Sequence, residues 1–155
     1  YLIRVTNLLG CAFMSEEVNS PYESLENIIK NEEHADIHIV DFHAEATGEK
    51  QSLTWAMDGK VSAIIGTHTH VQTRDYRILP NGTAMMSDVG MCGPYNGGLG
   101  TKKETVIKKL WLNEKSRFEI ADKDDSLFNA VVLAIDENSG KCEKITPIYL
   151  IENHI

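Results

Sequence analysis

The sequence predicts an α/β fold with mixed sheets. Apolar runs alternate with helical stripes over the first part of the chain. An Asn-Gly turn then joins two short apolar runs at residues 81–82. Finally, two long β-rich segments flank a polar turn near the carboxyl end.

Residues 1–5 read as a short strand. Ser20-Pro21-Tyr22-Glu23 is a helix start, with Ser20 as N-cap, Pro21 in the first helical position and Glu23 completing a capping box. Leu25, Ile28 and Ile29 then supply the i, i+3, i+4 stripe of a helix packed on a core. Residues 37–43 form a strand ending in His43. Residues 46–58 read as a second helix, capped by Thr47 and stopped near Gly59, and residues 61–65 as a buried strand. Strand, helix and strand of these lengths make a βαβ unit, and hence a parallel pair with a right-handed crossover.

Residues 76–79 and 84–86 flank Pro80-Asn81-Gly82-Thr83 as a hairpin. Residues 88–100 hold five of the chain's eleven glycines and read as a loop that lets backbone come close to something. Residues 103–112 form a helix with Val106, Ile107, Leu110 and Trp111 inward. Antiparallel strands follow at 117–121, 127–136 and 141–151, with a turn at 137–140. Met85, Met86, Trp55 and Trp111 are assigned to the core.

The chain has 155 residues, 42% of them hydrophobic and 25% charged, enough for one soluble domain with a core. No apolar run approaches the roughly 20 residues of a membrane span. A formal charge of −8 disfavours duplex nucleic acid. It does not exclude a small phosphorylated substrate, since bound cations carry their own charge. Cys11, Cys92 and Cys142 are too few and too scattered for a disulfide framework and fit the cytoplasm. The chain opens inside an apparent strand without Met, so further residues before Tyr1 are expected. Nothing marks a linker or a repeat.

Gly66-Thr67-His68-Thr69-His70-Val71 directly follows a buried run. In extended backbone, side chains at i and i+2 point the same way, so both imidazoles would reach one point. Imidazole is the commonest protein metal ligand, and the carboxyl ends of strands are where α/β sheets bind ligands. His43 ends a second strand of the same design, with Asp41 two residues before it. Three histidines suffice for one zinc with water in the fourth position. Two metals need a bridging carboxylate, for which Asp41, Glu45 and Asp88 are the local candidates. His38 and His34 read as structural and His154 as solvated. Residues 88–100 lack the ending of a P-loop. Asp136-Glu137-Asn138-Ser139-Gly140 reads as a hairpin turn rather than a calcium loop.

Three blocks, residues 41–50 (DFHAEATGEK), 66–73 (GTHTHVQT) and 88–95 (DVGMCGPY), resemble the YmdB-type bacterial metallophosphoesterases in order and spacing. The resemblance covers nearly the whole chain and is to the carboxyl-terminal part of that family. It implies that residues 1–155 are the carboxyl-terminal portion of a single domain, a four-layer α/β/β/α sandwich whose amino-terminal half is not among these residues. It also implies a phosphodiesterase or phosphatase of the calcineurin-like superfamily that hydrolyses 2′,3′-cyclic nucleotides by attack of a metal-bound hydroxide. The cofactors would be two divalent ions, Fe, Mn, Mg or Zn. His43 and His68 would bind one metal and His70 the other. Asp41, Glu45, Asp88 and Gly93 would stand behind the ligands or against the substrate. The family's Gly-Asp, Gly-Glu-Asn and Gly-Asn-His motifs, with the bridging carboxylate and the general acid, do not occur here, so the isolated chain is expected to be inactive. Self-association is compatible with this reading. The rivals are a mononuclear zinc hydrolase using Asp41 or Glu45 as base, and an inactive fragment serving as an interaction module.

Overall fold

The structure is a computed structural model describing residues 1–15, 17–121 and 125–152. β1 (Ile3–Leu9), β2 (Ile37–His43) and β3 (Ala63–Thr67) run parallel, joined through α1 (Pro21–Asn31) and α2 (Thr47–Ala56). β5 (Ala84–Met86) adds a further parallel strand beside β3, and β4 (Arg77–Ile78) closes the sheet antiparallel to β5, giving the order β1-β2-β3-β5-β4. A second sheet has the order β6-β7-β8, with β6 at Gly93–Pro94, β7 at Ser126–Ile135 and β8 at Cys142–Glu152. The fold is therefore α/β with parallel and antiparallel sheets.

The chain divides into two compact units. One is Tyr1–Gly90 with Val131–Pro147, and the other is Met91–Ala130 with the chain from Ile148 onward.

In the first unit the alternation of β1 and β2 sorts residues onto two faces. Leu8, Val40, Phe42 and Ile64 turn to one side and are covered by Leu25 of α1 and by Leu53 and Met57 at α2. Ala63, Ile65, Ala84 and Met86 turn to the other and are covered by Val131, Leu133, Ile135, Cys142 and Ile145. On this second face Ile3, Val5 and Leu9 of β1 stay exposed. β3 and β5 approach so closely at Gly66 that a Cβ there would overlap the Ser87 carbonyl, which explains the glycine at that point.

Helix α1 starts as its sequence dictates, with Ser20 accepting from the Glu23 amide at 3.4 Å and Pro21 first in the helix. At α2 the N-cap is Ala46, not Thr47. Thr47 is already helical and makes no capping bond. The hairpin turn passes through Gly82 at φ 102°, and Asp58 accepts from the amides of Asn81 and Thr83. The turn after β7 is an Asp136 turn, with its carboxylate accepting from the amides of Asn138 and Ser139.

The second unit departs most from expectation. The glycine-rich segment supplies β6, which pairs antiparallel with β7 at Leu127 and Ser126. Residues 117–121 form no strand. They make two backbone bonds, Lys102 N–H to the Glu119 carbonyl and Ala121 N–H to the Gly100 carbonyl, around one Thr101–Ile120 bridge. α3 (Lys103–Leu110) is shorter than its apolar pattern, and its intended inner face is open, with Trp111 81% exposed and Ile107 and Leu110 also exposed. Trp55 is exposed as well, while Met85 and Met86 are core. Amphipathic spacing fixes which side chains share a helix face, but not whether another element covers it.

Candidate functional site

The histidines singled out by the sequence gather at the carboxyl ends of β2 and β3. β2 ends at His43 and β3 at Thr67, and the two are register partners. Asp41 lies on the same face two residues earlier, across from Asn7 of β1. Parallel pairing therefore stacks Asn7, Asp41, His43 and Thr67 on one face at one end of the sheet.

These groups form a continuous hydrogen-bonded chain. Asn7 Nδ2 donates to Asp41 Oδ2 at 2.8 Å, and the Thr67 hydroxyl donates to Asp41 Oδ1 at 2.8 Å. With its proton committed to Asp41, Thr67 Oγ1 can only accept from His43 Nδ1, 3.1 Å away. His43 therefore carries its proton on Nδ1 and presents a lone pair at Nε2. That Nε2 lies 3.1 Å from His68 Nδ1, with the rings edge to face at 88° and centroids 4.9 Å apart. His68 Nε2 in turn meets Glu45 Oε2 at 2.9 Å. Each imidazole thus has one nitrogen anchored by an oxygen partner and the other aimed at a shared point.

Two ring nitrogens that close share a hydrogen-bonding proton or a metal. A divalent cation here would be held by His43 Nε2 and His68 Nδ1, which lie 3.1 Å apart. Anchoring the distal nitrogen on an oxygen acceptor, most often a carboxylate, backbone carbonyl or water, is the usual support for a histidine ligand. The pair and its supports fit a divalent cation.

His70 does not join them. The backbone leaves the extended form after Thr67, with His68 at φ 114° and His70 at φ 68°, so the i, i+2 rule no longer sets direction. His70 is exposed. Among the described residues no group of three His, Cys, Asp or Glu side chains is arranged to hold a metal. The expected three-histidine cluster is thus a two-histidine pair with Glu45 and Asp41 behind it.

Asp88 is not a free ligand. It is 1% exposed, and its carboxylate accepts from Lys50 Nζ at 3.1 Å, the Thr69 amide at 2.8 Å and the Gly90 amide at 2.9 Å. Lys50, 3% exposed, also donates to the Thr67 carbonyl at 2.8 Å. Beside them Asp75 accepts from Thr73, Gln51 and both the amide and the hydroxyl of Ser87. Burial pushes the Asp75 carboxyl up, but the hydrogen bonds from Ser87, Thr73 and Gln51 together outweigh it and hold it below the ordinary carboxylate value.

Gly93 lies in the second unit, opposite Leu127. His38 is buried and bonded to the Thr6 hydroxyl at 2.8 Å, a structural histidine as expected. His34 is exposed in the loop after α1, and His154 falls outside the described residues. Sequence reasoning gave no role to Thr67 or Lys50. Lys50 had a signal, since Lys50, Leu53, Thr54 and Met57 follow i, i+3, i+4, i+7 and put a lysine in the buried stripe of α2. Thr67 had none beyond its place beside His68.

A family model described as "YmdB-like protein" matches residues 1–148. The chain is 44% identical over 154 residues to the "2′,3′-cyclic-nucleotide 2′-phosphodiesterase" of Bacillus subtilis (strain 168), covering 99% of this chain and 58% of that protein. A crystal structure from Mycoplasma pneumoniae, described as a novel phosphatase, superposes with a TM-score of 0.88 at 39% identity, covering 97% of this chain and 54% of that one. A hypothetical protein from Thermus thermophilus gives a TM-score of 0.88 at 35% identity, covering 97% of this chain and 57% of that one. The chain therefore spans a little over half the length of the relatives it matches.

Proposed function

The chain belongs to the YmdB-like protein family, and on that basis we propose that it is the carboxyl-terminal portion of a metal-dependent phosphodiesterase acting on small phosphate esters, 2′,3′-cyclic nucleotides in particular. The observation that carries the reading is the convergence of His43 Nε2 and His68 Nδ1, 3.1 Å apart, each ring anchored on its far side. The name of the Bacillus relative supports the substrate class.

His43 and His68 would hold one divalent ion, and His70, exposed two residues after His68, would serve a second. Bound divalent ions supply charge for the phosphate oxygens and a hydroxide source near neutral pH. This chain's own groups do the orienting. Asp41 and Thr67 hold the His43 tautomer, and Glu45 holds the ring of His68. The remaining ligands, the bridging carboxylate and the general acid are assigned to residues outside these 155. Those residues would also complete a four-layer sandwich within one domain, against the bare β1 face of Ile3, Val5 and Leu9. Asp88 would lie behind the ligands, and Gly93 is proposed only as a residue that meets the substrate.

No described helix is long and apolar enough to cross a membrane. Cys11, Cys92 and Cys142 are free thiols, which supports a place in the reducing cytoplasm. The test is elemental analysis of the full-length protein purified without chelator, with hydrolysis of 2′,3′-cyclic AMP before and after EDTA. Two metals per chain and chelator-sensitive turnover are expected. One zinc with hydrolysis of a non-phosphate ester would replace this reading with a mononuclear hydrolase.

A further inference from the structure

We propose that the buried Lys50–Asp88 ion pair is a positioning device that clamps the backbone on both sides of His68 and so aims its Nδ1 at His43. The inference rests on the reading of that pair of histidines as a metal site, but its geometry stands apart from any metal.

Lys50 comes from α2, on the helical side of the sheet, and Asp88 from just beyond β5. They meet at 3.1 Å with almost no exposure. Lys50 Nζ donates to the carbonyl of Thr67, the residue before His68, and Asp88 Oδ2 accepts from the amide of Thr69, the residue after it. One ion pair thereby holds the two residues that flank the histidine. Asp88 Oδ1 accepts from the Gly90 amide, which ties the same carboxylate to its own loop.

The clamp answers a conformational problem. His68 sits at φ 114°, where residues other than glycine are rarely found. Such a residue persists only when its surroundings over-determine it. Without the two anchors the segment would relax toward extended backbone, and the ring would leave both His43 and Glu45. Stability alone is a weak reason for a buried ion pair, since desolvation offsets most of the attraction. Setting the direction of a neighbouring side chain is a better one.

The test uses full-length protein carrying Lys50→Met and Asp88→Asn together, which leaves no buried charge unpaired. Two readouts are taken. The first is the ring-nitrogen NMR spectrum of metal-free protein with labelled histidine, which reports the hydrogen bond between His43 Nε2 and His68 Nδ1. The second is titration with Co(II) alone, followed by its visible absorption. A cooperative melt checks folding. The expected result is loss of the His43–His68 hydrogen bond signal and Co(II) binding about tenfold weaker or worse, in the range seen when residues supporting a metal ligand are removed. If the double variant fails to fold, Asp88→Asn alone, which keeps one acceptor, should move the same two readouts in the same direction. Unchanged ring signals in a folded variant overturn the proposal. Should wild-type protein bind no Co(II) at the pair, the metal reading fails, while the metal-free spectra still decide whether the clamp positions His68.

Discussion

The imidazoles of His43 and His68 stand edge to face, with Nε2 of one 3.1 Å from Nδ1 of the other, although 25 residues separate them in the chain. Register pairing of His43 with Thr67 brings them together, because it leaves the residue after Thr67 beside the end of β2. Replacing either ring by alanine removes one of two converging nitrogens and creates no core cavity. His43→Ala and His68→Ala in the full-length enzyme should each lower turnover of 2′,3′-cyclic AMP by about 100-fold or more, beyond the loss typical of supporting residues, with melting temperatures close to wild type. His70→Ala should do the same if it serves a second ion. Near-normal turnover in all three variants would sink the site.

Thr67 fixes a proton rather than a ligand. Thr67→Val keeps the shape and deletes the hydroxyl that gives to Asp41 and receives from His43 Nδ1. His43 is then free to exchange tautomers, so a fraction of molecules presents N–H instead of a lone pair. Metal affinity should fall about 10- to 100-fold, measured by competition with a chelating dye. A variant with wild-type affinity would show that Thr67 does not set the tautomer.

His38 makes acid stability measurable. Burial, helped by the positive charge of Arg4, pushes its pKa from the ordinary 6.5 down to about 4. The folded state thus holds His38 neutral where the unfolded chain would protonate it. Its stabilising contribution is fully present above pH 6.5 and is lost as the pH falls toward 4. The loss across that window is about 3 kcal/mol, since a tenfold change in proton affinity corresponds to about 1.4 kcal/mol. Urea denaturation near neutral pH and again close to the lower end of the window should show a smaller drop for His38→Gln than for wild type. Equal drops would mean that His38 does not control this window.

Gly66 is a packing constraint at the same strand end. Alanine there would drive its Cβ into the Ser87 carbonyl, which is backbone and cannot swing away. β3 and β5 would have to separate, at a cost of about 1–3 kcal/mol, and the Thr67–Thr69 segment would shift with them. Gly66→Ala should lower both the urea midpoint and metal affinity. A variant that loses stability but keeps full metal affinity would separate the sheet contact from the site.

Much of this site was legible in the sequence. An apolar run ending in histidine marks a strand that delivers its last side chain to the sheet edge, and His43 sits where that reading puts it, while His68 follows one residue beyond the end of β3. Asp41 shares a face with His43 through the two-residue period of a strand. The two-residue period does not carry past Thr67, where the strand stops and two non-glycine residues take positive φ, so spacing alone does not aim His70 at the point His43 and His68 share. Trp111 and Leu110 were misread because spacing identifies an apolar face without supplying an element to cover it.

Periodicity and capping act between near neighbours, and so the amino-acid order was enough to set most local elements of the first unit, the parallel βαβ order and the residue types at the strand ends. It took the folded arrangement to make His43 and His68 face each other, to anchor their far nitrogens on Thr67 and Glu45, and to hold the turn between them with Lys50 and Asp88. Each of those partnerships joins residues on different elements. The inter-strand register and the direction of α2 over the sheet set their distances, and neither is encoded in the spacing of any single segment.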